Sequence, residues 1–275
     1  YSVSSIFRED QVFFKWYGRN YAGVLKCFTR FFVQNEESKR LLEGIGITAV
    51  DVVGDTRFDR VLQIKEAAKQ LPICEAFRTG VASSQSADVP HHDFKVFVAG
   101  SSWPPDENIF IPFFNEHKDW RLLIAPHVIA EEHLKLILSL IKGKKVVRYT
   151  QTTPEEAAEA DVLIIDCFGL LSSMYNYGDV AYIGGGFGVG IHNTLEAAVW
   201  NMPVIFGPNN KKFQEAQGLL KSDGGFEINT YEDFSALMSS LMNDETFLKQ
   251  AGDKAGAFVA HLAGATDKVL ASVKL

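Results

Sequence analysis

Short, nearly continuous apolar runs recur through the second two-thirds of the chain. Six of them end in glycine, proline or a polar residue, at residues 95–100, 121–126, 144–150, 161–166, 180–185 and 203–208. Runs of this length, rich in β-branched residues, are typical of strands buried on both faces of a parallel sheet. Helical periodicity separates most of them, as in residues 130–143 and 193–200. The pattern predicts an α/β protein with a Rossmann-like, doubly wound parallel sheet.

The first 72 residues alternate in the same way and predict a smaller α/β unit. After a strand remnant and a helix, they give strands at 30–35 and 49–55 and helices at 36–46 and 57–71, with Gly44 and Gly46 ending one helix and Gly54 making a turn. Residues 79–93 are small and polar and contain Pro90, which predicts a connector. We therefore expect domains at 1–78 and 94–275, the second ending in helices. A chain that opens inside a strand is expected to lack an N-terminal part.

The composition is typical of a globular protein and shows no transmembrane helix. Of the 275 residues, 47% are hydrophobic and 22% are charged, and no apolar run reaches the roughly 18 residues of a transmembrane helix. Cys27, Cys74 and Cys167 are far apart and form no C-x-x-C pair, which argues against a disulfide framework or a structural zinc site and suits a reducing cytoplasm. One histidine cluster, His91-His92, lies in the polar connector, and we expect no metal site there.

The net charge of −7 is unevenly distributed. Residues 1–65 carry +2 and residues 66–275 carry −9. The basic part is also aromatic, since residues 13–32 interleave Lys15, Arg19, Lys26 and Arg30 with Phe13, Trp16, Tyr17, Tyr21 and Phe31. Two interpretations stay open: a core helix with a solvated basic face, or a surface for a membrane or a phosphate-rich partner.

The polar and glycine-rich loops follow the predicted strands. They read "GSSW", "APH", "DCFGLL", "GGGFGVGIHNTLE" and "FGPN". Ligands of open α/β sheets bind beyond the carboxyl ends of the strands, so these loops are the candidate site. The glycine loop is not a dinucleotide fingerprint, because Val189 stands where the third glycine belongs, and the chain has no P-loop. It predicts a turn that opens a helix at Asn193, with free N–H groups facing a phosphate or a carboxylate.

Several single residues have two interpretations. Asn193 and Glu196 have the spacing of a capping box, but Glu196 is equally suited to accept hydrogen bonds from ribose hydroxyls. His127 ends a strand on the ligand side and is either structural or functional. Asp166 is interpreted as a cap for the helix that follows it. Gly169 allows the backbone to approach a base or a phosphate.

Taken together, five segments resemble the 3-deoxy-D-manno-octulosonic acid (Kdo) transferases over nearly the whole chain. They are "VVGDTRFDRV", "FVAGSSW", "LLIAPH", "DCFGLL" and "VAYIGGGFGVGIHNTLEAAVWNMPVIFGPN", of which G-x-H-N-x-L-E is the most specific. The resemblance implies a glycosyltransferase-B architecture in which the second Rossmann-like domain is incomplete. It also implies transfer of Kdo from CMP-Kdo to the lipid A precursor in lipopolysaccharide biosynthesis, at the cytoplasmic face of the inner membrane of Gram-negative bacteria.

The resemblance also implies a donor site. CMP contacts carried over from the family fall on Pro126, His127, Gly169, Leu170, Leu171, Asn193, Thr194, Leu195 and Glu196. A possible donor loop comprises Ser101, Ser102, Gly185, Gly186, Gly188 and Gly190. The sequence departs from the family where His127 replaces an arginine, so that a titratable group stands in place of a permanent charge. "DCFGLL" also replaces the family's "DTMGEL", and Ile191 stands where glycine is frequent.

No catalytic residue is expected in these 275 residues. The family's base is a glutamate near the start of its N-terminal domain, and neither Glu9 nor Asp10 matches that motif. We expect a chain that binds CMP but is inactive alone, needs no metal or cofactor besides CMP-Kdo, contacts the lipid A precursor and the membrane through the first domain, and binds no nucleic acid. Alternatives are another glycosyltransferase-B enzyme, a UDP-sugar epimerase, or a catalytically silent nucleotide-binding module.

Overall fold

A computed structural model describes residues 1–81, 93–188 and 190–273. The chain divides into two compact units, one comprising Tyr1–Gln63 and Val259–Leu275, the other Ile64–Phe258. Most of the predicted connector at 79–93, including His91 and His92, lies outside the described residues. No helix in the described ranges combines the length and apolar composition that a bilayer crossing requires.

The strands, in chain order, are β1 (Ser2–Ser5), β2 (Phe31–Val33), β3 (Val50–Val52), β4 (Lys95–Ser102), β5 (Trp120–Pro126), β6 (Val146–Arg148), β7 (Val162–Ile164), β8 (Val180–Ile183), β9 (Val204–Phe206) and β10 (Gly225–Glu227). The α-helices are α1 (Arg19–Leu25), α2 (Glu36–Gly44), α3 (Thr56–Glu66), α4 (Pro72–Thr79), α5 (Pro104–Glu116), α6 (Glu131–Leu140), α7 (Pro154–Ala158), α8 (Leu171–Met174), α9 (Leu195–Ala198), α10 (Gln214–Lys221), α11 (Tyr231–Asn243), α12 (Glu245–Leu262) and α13 (Ala265–Ser272).

The larger unit is built on a seven-stranded parallel sheet with the order β10-β9-β8-β4-β5-β7-β6. All six predicted strands are present, and buried side chains such as Phe97, Ile124 and Tyr182 form a continuous core. The strand β10 was not predicted, because Gly-Phe-Glu has no apolar run. Since β4 pairs with both β5 and β8, the direction of strand order reverses at β4, where ligands of open α/β sheets bind.

The smaller unit contains a three-stranded parallel sheet with the order β1-β2-β3. The predicted helix at 36–46 is present as α2, and its N-cap Asn35 accepts a hydrogen bond from the Ser38 N–H at 2.9 Å. Gly46 and Gly54 have φ angles of 83° and 100°, as the predicted turns require. Its core includes Phe31, Val33 and Leu42 among other buried residues.

The basic aromatic segment does not form a core helix. The α-helix α1 has only seven residues and follows two short 3-10 turns, at Val12–Phe14 and Trp16–Gly18; Ala22 and Leu25 of α1 are buried. Trp16, Tyr17 and Tyr21 are 83%, 60% and 61% exposed. The interpretation of this segment as a core helix is therefore wrong for Trp16, Tyr17 and Tyr21, which lie on the surface, whereas Phe31 is buried in β2 and not in a helix.

The C-terminal helix α13 belongs to the smaller unit because Asp59, on α3, caps it. The Asp59 carboxylate accepts hydrogen bonds from the backbone N–H groups of Gly264 and Thr266 and from the Thr266 hydroxyl. On α13, Val269 packs in a buried cluster with Phe32 and Val53. Residues 259–275 therefore lie outside the larger unit, although the sequence pattern placed them in the second domain.

The helix α4 lies in the larger unit, whereas the sequence pattern placed it in the first domain. The buried guanidinium of Arg121, on β5, donates to the backbone oxygens of Phe77 on α4 and Ala158 on α7. It also lies 3.6 Å from the centre of the Phe94 ring. Burial lowers the pKa of Arg121 to about 10. These contacts hold α4 in the larger unit, which begins in the chain at Ile64 rather than after residue 78.

Asp59→Asn is expected to lower the free energy of unfolding by about 1–2 kcal/mol at pH 7, because the carboxylate accepts several hydrogen bonds at once. Burial opposes the charge, but the hydrogen bonds from Gly264 and Thr266 outweigh it and lower the pKa of Asp59. The stabilisation is therefore present above the ordinary pKa of about 4 and is lost as pH falls through the lowered pKa.

Urea unfolding from pH 3 to 7 and hydrogen exchange of α13 measure this effect. The matched control is Asp267→Asn, which removes the same charge from an exposed position on α13. Equal losses in the two variants, or a difference that grows towards acid pH, would contradict the capping role of Asp59.

Candidate functional site

The five predicted site loops meet at one edge of the larger sheet. They follow β4, β5, β7, β8 and β9, which are consecutive in the order β9-β8-β4-β5-β7. Because all these strands run parallel, their carboxyl ends lie on the same edge. The prediction that the polar loops share one edge is confirmed.

A buried carboxylate, Asp106, connects two of these loops. Asp106 is 1% exposed and lies in the first turn of α5. It accepts hydrogen bonds from the N–H groups of Trp103 and Gly185, each at 2.9 Å, and from the Tyr182 hydroxyl at 2.8 Å. Burial raises the pKa of Asp106, although these hydrogen bonds oppose the shift. Sequence reasoning missed Asp106; its signal is "WPPDE", with proline at N1 and an acidic residue at N3.

A second buried carboxylate, Glu107, holds the end of β4 against α6. It accepts a hydrogen bond from the Ser102 hydroxyl at 2.8 Å and contacts His133 Nε2 at 2.9 Å. The other ring nitrogen, Nδ1 of His133, carries a proton, because the Val128 carbonyl 2.9 Å away can only accept. Burial raises the pKa of Glu107. Ser102, predicted in the donor loop, is thus fully buried and bonded within the protein.

The glycine loop is closed by hydrogen bonds within the protein. The N–H groups of Gly184 and Gly185 donate to the Gly100 carbonyl and to Asp106, each at 2.9 Å. Those of Gly188 and Gly190 donate to the Gly185 carbonyl at 3.0 and 3.1 Å. The expectation of free N–H groups is therefore wrong at these four positions.

Close approach of the backbone explains the glycines instead. A Cβ atom on Gly186 would lie 2.5 Å from the nitrogen of Gly207, and one on Gly184 would lie 2.2 Å from the oxygen of Ser101. Gly185 also has a φ angle of 92°, and Ser101 has one of 52°. The loop after β8 therefore packs directly on the backbone that follows β4 and β9. Gly188 differs, because its Cβ would meet nothing closer than 3.9 Å.

Glu196 links its own predicted CMP-contacting segment, residues 193–196, to Ser172, which directly follows the predicted segment at residues 169–171. Its carboxylate accepts hydrogen bonds from the Asn193 amide at 2.9 Å and from the Ser172 hydroxyl, on α8, at 2.6 Å. The Asn193 side chain also accepts from the Leu195 N–H at 3.2 Å. Glu196 therefore bonds to the side chain of Asn193 rather than to its backbone, so the predicted capping box does not form. The helix α9 is a single turn that begins at Leu195, not at Asn193.

The other predicted residues of these segments differ in exposure. Gly169 is exposed with a φ angle of 82°, and Leu170 and Leu171 are half-buried. Thr194 and Leu195 are buried, and within the described part of the chain the Thr194 hydroxyl has no hydrogen-bond partner. Their side chains are thus remote from solvent.

Asp166 does not cap the helix that follows it. Its carboxylate accepts hydrogen bonds from Arg148 at 3.0 Å and from the Thr150 N–H at 2.8 Å. Burial would raise the pKa of Asp166, but the hydrogen bonds from Thr150 and Arg148 lower it. The carboxylate therefore links the ends of β6 and β7, and the capping interpretation is wrong.

The third predicted segment, Pro126 and His127, contacts the loops after β4 and β8 through a stack of three rings. His127 follows the buried Pro126 and is exposed; its ring stacks on Trp103 and on His192, with centroids 4.6 and 4.4 Å apart. The Trp103 Nε1–H donates to His192 Nε2 at 3.2 Å, which leaves the proton of neutral His192 on Nδ1. Burial and the neighbouring His127 lower the pKa of His192, so this ring is neutral at pH 7. The residue-level predictions omitted Trp103 and His192, although His192 lies within the most specific motif.

Within the described ranges, no three His, Cys, Asp or Glu side chains are placed to bind a metal ion. Asp93, at the end of the predicted connector, pairs with Arg78 at 2.9 Å. His91 and His92 lie outside the described residues, so the expectation for that cluster stays a prediction.

Gly186→Ala is expected to lower the free energy of unfolding by about 1–3 kcal/mol, because the new methyl group would overlap the backbone of Gly207. Gly188→Ala is the matched control in the same loop and should change it by less than about 0.5 kcal/mol. Urea unfolding of the two variants measures the difference. Equal effects would mean that close packing is not the reason for glycine at position 186.

Comparison with known proteins gives sequence relatives, although no family model matches the chain. The 3-deoxy-D-manno-octulosonic acid transferase of Rickettsia typhi is 27% identical over 263 residues, which are 91% of this chain and 53% of that protein. Transferases of the same name from other Rickettsia species match at similar levels. The chain spans about half the length of the curated relatives it matches.

Solved structures share the fold. The C-terminal CMP-Kdo binding domain of WaaA from Acinetobacter baumannii aligns with a TM-score of 0.52 at 16% identity, covering 74% of this chain and 97% of that domain. A UDP-GlcNAc 2-epimerase from Neisseria meningitidis bound to UDP-GlcNAc aligns with a TM-score of 0.58 at 14% identity, covering 97% of this chain and 68% of the epimerase. The predicted glycosyltransferase-B type of α/β fold is confirmed. By sequence, and as its motifs predict, the chain is a relative of the Kdo transferases.

Proposed function

We propose that the chain binds CMP-Kdo at the carboxyl edge of its larger sheet and acts in Kdo transfer to the lipid A precursor. The observation that carries this proposal is the Glu196 cluster, in which Asn193 and Ser172 fix one carboxylate at the predicted ribose position. An ionised carboxylate has about four acceptor sites, and two are used here. The remaining ones suit the two hydroxyls of a ribose.

The phosphate of the leaving CMP would be stabilised by a side-chain charge rather than by the glycine loop. The N–H groups of Gly184, Gly185, Gly188 and Gly190 are already bonded within the protein. His127 is exposed at the end of β5 and is held by stacking on Trp103 and His192. A protonated His127 would neutralise charge that develops on the phosphate as the bond to Kdo breaks. No residue of this chain is proposed as the base that activates the acceptor hydroxyl.

The smaller unit carries a surface suited to the membrane in which the lipid acceptor lies. Trp16, Tyr17 and Tyr21 are exposed, and Lys26 is exposed on the same short segment. Aromatic rings insert at the headgroup level, and basic side chains are attracted to anionic lipids. We therefore propose peripheral membrane contact through residues 16–26, at the inner face of the bacterial inner membrane.

Glu196→Gln is expected to weaken CMP binding about tenfold, because it replaces an acceptor of ribose hydroxyls by an amide. With 2′-deoxy-CMP the same substitution should change binding less, since one of those hydroxyls is absent. Titration calorimetry with CMP, 2′-deoxy-CMP and UDP measures the effect, and preference for UDP would favour the epimerase alternative. Glu232→Gln, at an exposed position on α11, is the control for the loss of charge. Unchanged CMP affinity beside a lowered melting temperature would make Glu196 a purely structural residue.

Replacing Trp16 and Tyr17 together by serine should reduce binding to vesicles that contain phosphatidylglycerol by about tenfold, since two exposed aromatic side chains no longer insert. Co-sedimentation at low and high salt measures binding, and the basic contribution should weaken with salt. Phe168→Ser is the control, because Phe168 is 82% exposed but lies in the larger unit. Equal losses for the control would contradict a specific membrane surface.

A further inference from the structure

A recess lies beside the glycine loop, beyond the carboxyl ends of β9 and β10. It has a volume of about 580 Å³ and is lined by Gly190, Asn209, Lys211, Lys212, Glu227 and Asn229 among others. Small-molecule sites usually occupy about 300–1,000 Å³, so the recess is large enough for a sugar. Of these residues, only Gly190 is among the donor-site residues carried over from the family, and Asn209 ends the predicted site loop "FGPN".

The recess shares a wall with the glycine loop. The Asn209 N–H donates to the Gly186 carbonyl at 2.9 Å, and its side-chain amide donates to the Gly188 carbonyl at 2.6 Å. The ring of Phe213 packs against Gly190, where a Cβ would lie 3.0 Å from the ring. A ligand that extends from the glycine loop towards β9 would therefore enter this recess.

Buried polar contacts hold one group of the lining in place. Asn210 is fully buried, and its amide donates to the Glu227 carboxylate at 2.7 Å and to the Gly207 carbonyl at 3.0 Å. The Asn210 side-chain oxygen accepts from Gln217 at 2.6 Å. Because the buried amide has no freedom to turn, it fixes the orientation of the Glu227 carboxylate at the mouth of the recess.

The chemistry of the lining suits an acidic sugar. Lys211 and Lys212 are exposed, and within the described residues neither ammonium has an ion-pair partner. The two ammonium groups and the Glu227 carboxylate together give the lining of the recess a net charge of +1. The two ammonium groups can pair with a carboxylate, while Glu227 and the amides of Asn209 and Asn229 can bond to hydroxyls. A neutral sugar would offer neither ammonium group an ion-pair partner.

We propose that this recess binds the sugar part of the donor, with Lys211 and Lys212 facing the carboxylate of an acidic, polyhydroxylated sugar. The proposal rests on the proposed function, because it takes CMP-Kdo as the donor and assigns its acidic sugar to a subsite separate from that of the nucleotide. Lys211 and Lys212 then distinguish an acidic sugar donor from a neutral one, while the Glu196 cluster binds the nucleotide.

The test compares CMP with CMP-Kdo by titration calorimetry in a Lys211→Gln, Lys212→Gln double variant. We expect CMP-Kdo to bind at least tenfold more weakly than to the original chain, and CMP to change by less than twofold. A double variant of Lys135 and Lys221, exposed lysines elsewhere on the larger unit, controls for the loss of two charges and should change neither ligand. Equal weakening of CMP and CMP-Kdo, or no weakening of CMP-Kdo, would overturn the proposal.

A second measurement separates this proposal from the proposed function. Free Kdo, its uncharged methyl ester and inorganic phosphate are titrated while the side-chain amide resonances of Asn209 and Asn229 are followed by NMR. Kdo should shift them in the original chain but not in the Lys211, Lys212 variant, and the methyl ester should shift them less. Shifts with phosphate alone would indicate a general anion site and contradict the sugar assignment. If CMP itself fails to bind, the proposed function fails, whereas the response to Kdo still decides the role of the recess.

Discussion

The Asp106 carboxylate is the contact on which the organisation of the carboxyl edge depends. Burying an ionised carboxylate is costly unless hydrogen bonds replace its water, and Asp106 accepts from Trp103, Tyr182 and Gly185. These partners belong to the end of β4, to β8 and to the loop after β8. Because the backbone of Trp103 is fixed in this way, its ring can hold His192 by a hydrogen bond and His127 by stacking. The positions of Trp103, His127 and His192, which form the candidate phosphate-binding side of the site, therefore depend on this buried carboxylate.

At the carboxyl edge of the larger sheet, glycine residues allow close backbone packing, and charged side chains can neutralise a ligand. The glycines let backbone segments after β4, β8 and β9 approach within van der Waals distance, and most of their N–H groups are used in doing so. Any anionic ligand must then be neutralised by side chains at the margins of the loop. His127 stands on one side and Lys211 on the other, with the glycine loop between them in the strand order. An elongated anionic ligand would meet a basic side chain at each end.

The sequence predicted the parts of this structure that depend on local pattern. Short, nearly continuous apolar runs identified the strands, and the loops that follow them were found because parallel strands end on one edge. The glycine loop shows the limit of this reasoning, since a glycine needed for close packing looks the same in sequence as one needed for a ligand. Asp106 and Glu107 were missed because acidic residues in a first helical turn are ordinary. The bounds of the compact units depend on Asp59 and Arg121, whose partners are remote in sequence.

The capping of α13 by Asp59 has a consequence for how the polypeptide matures. The two partners are separated by more than 200 positions, and the whole larger unit is encoded between them. During synthesis, the sheet of the larger unit can form while the smaller unit still lacks its last helix. Closing so long a loop is slow, and domains generally fold as units as the chain emerges. The smaller unit is therefore completed after the larger one, although its three strands precede the larger unit in the chain.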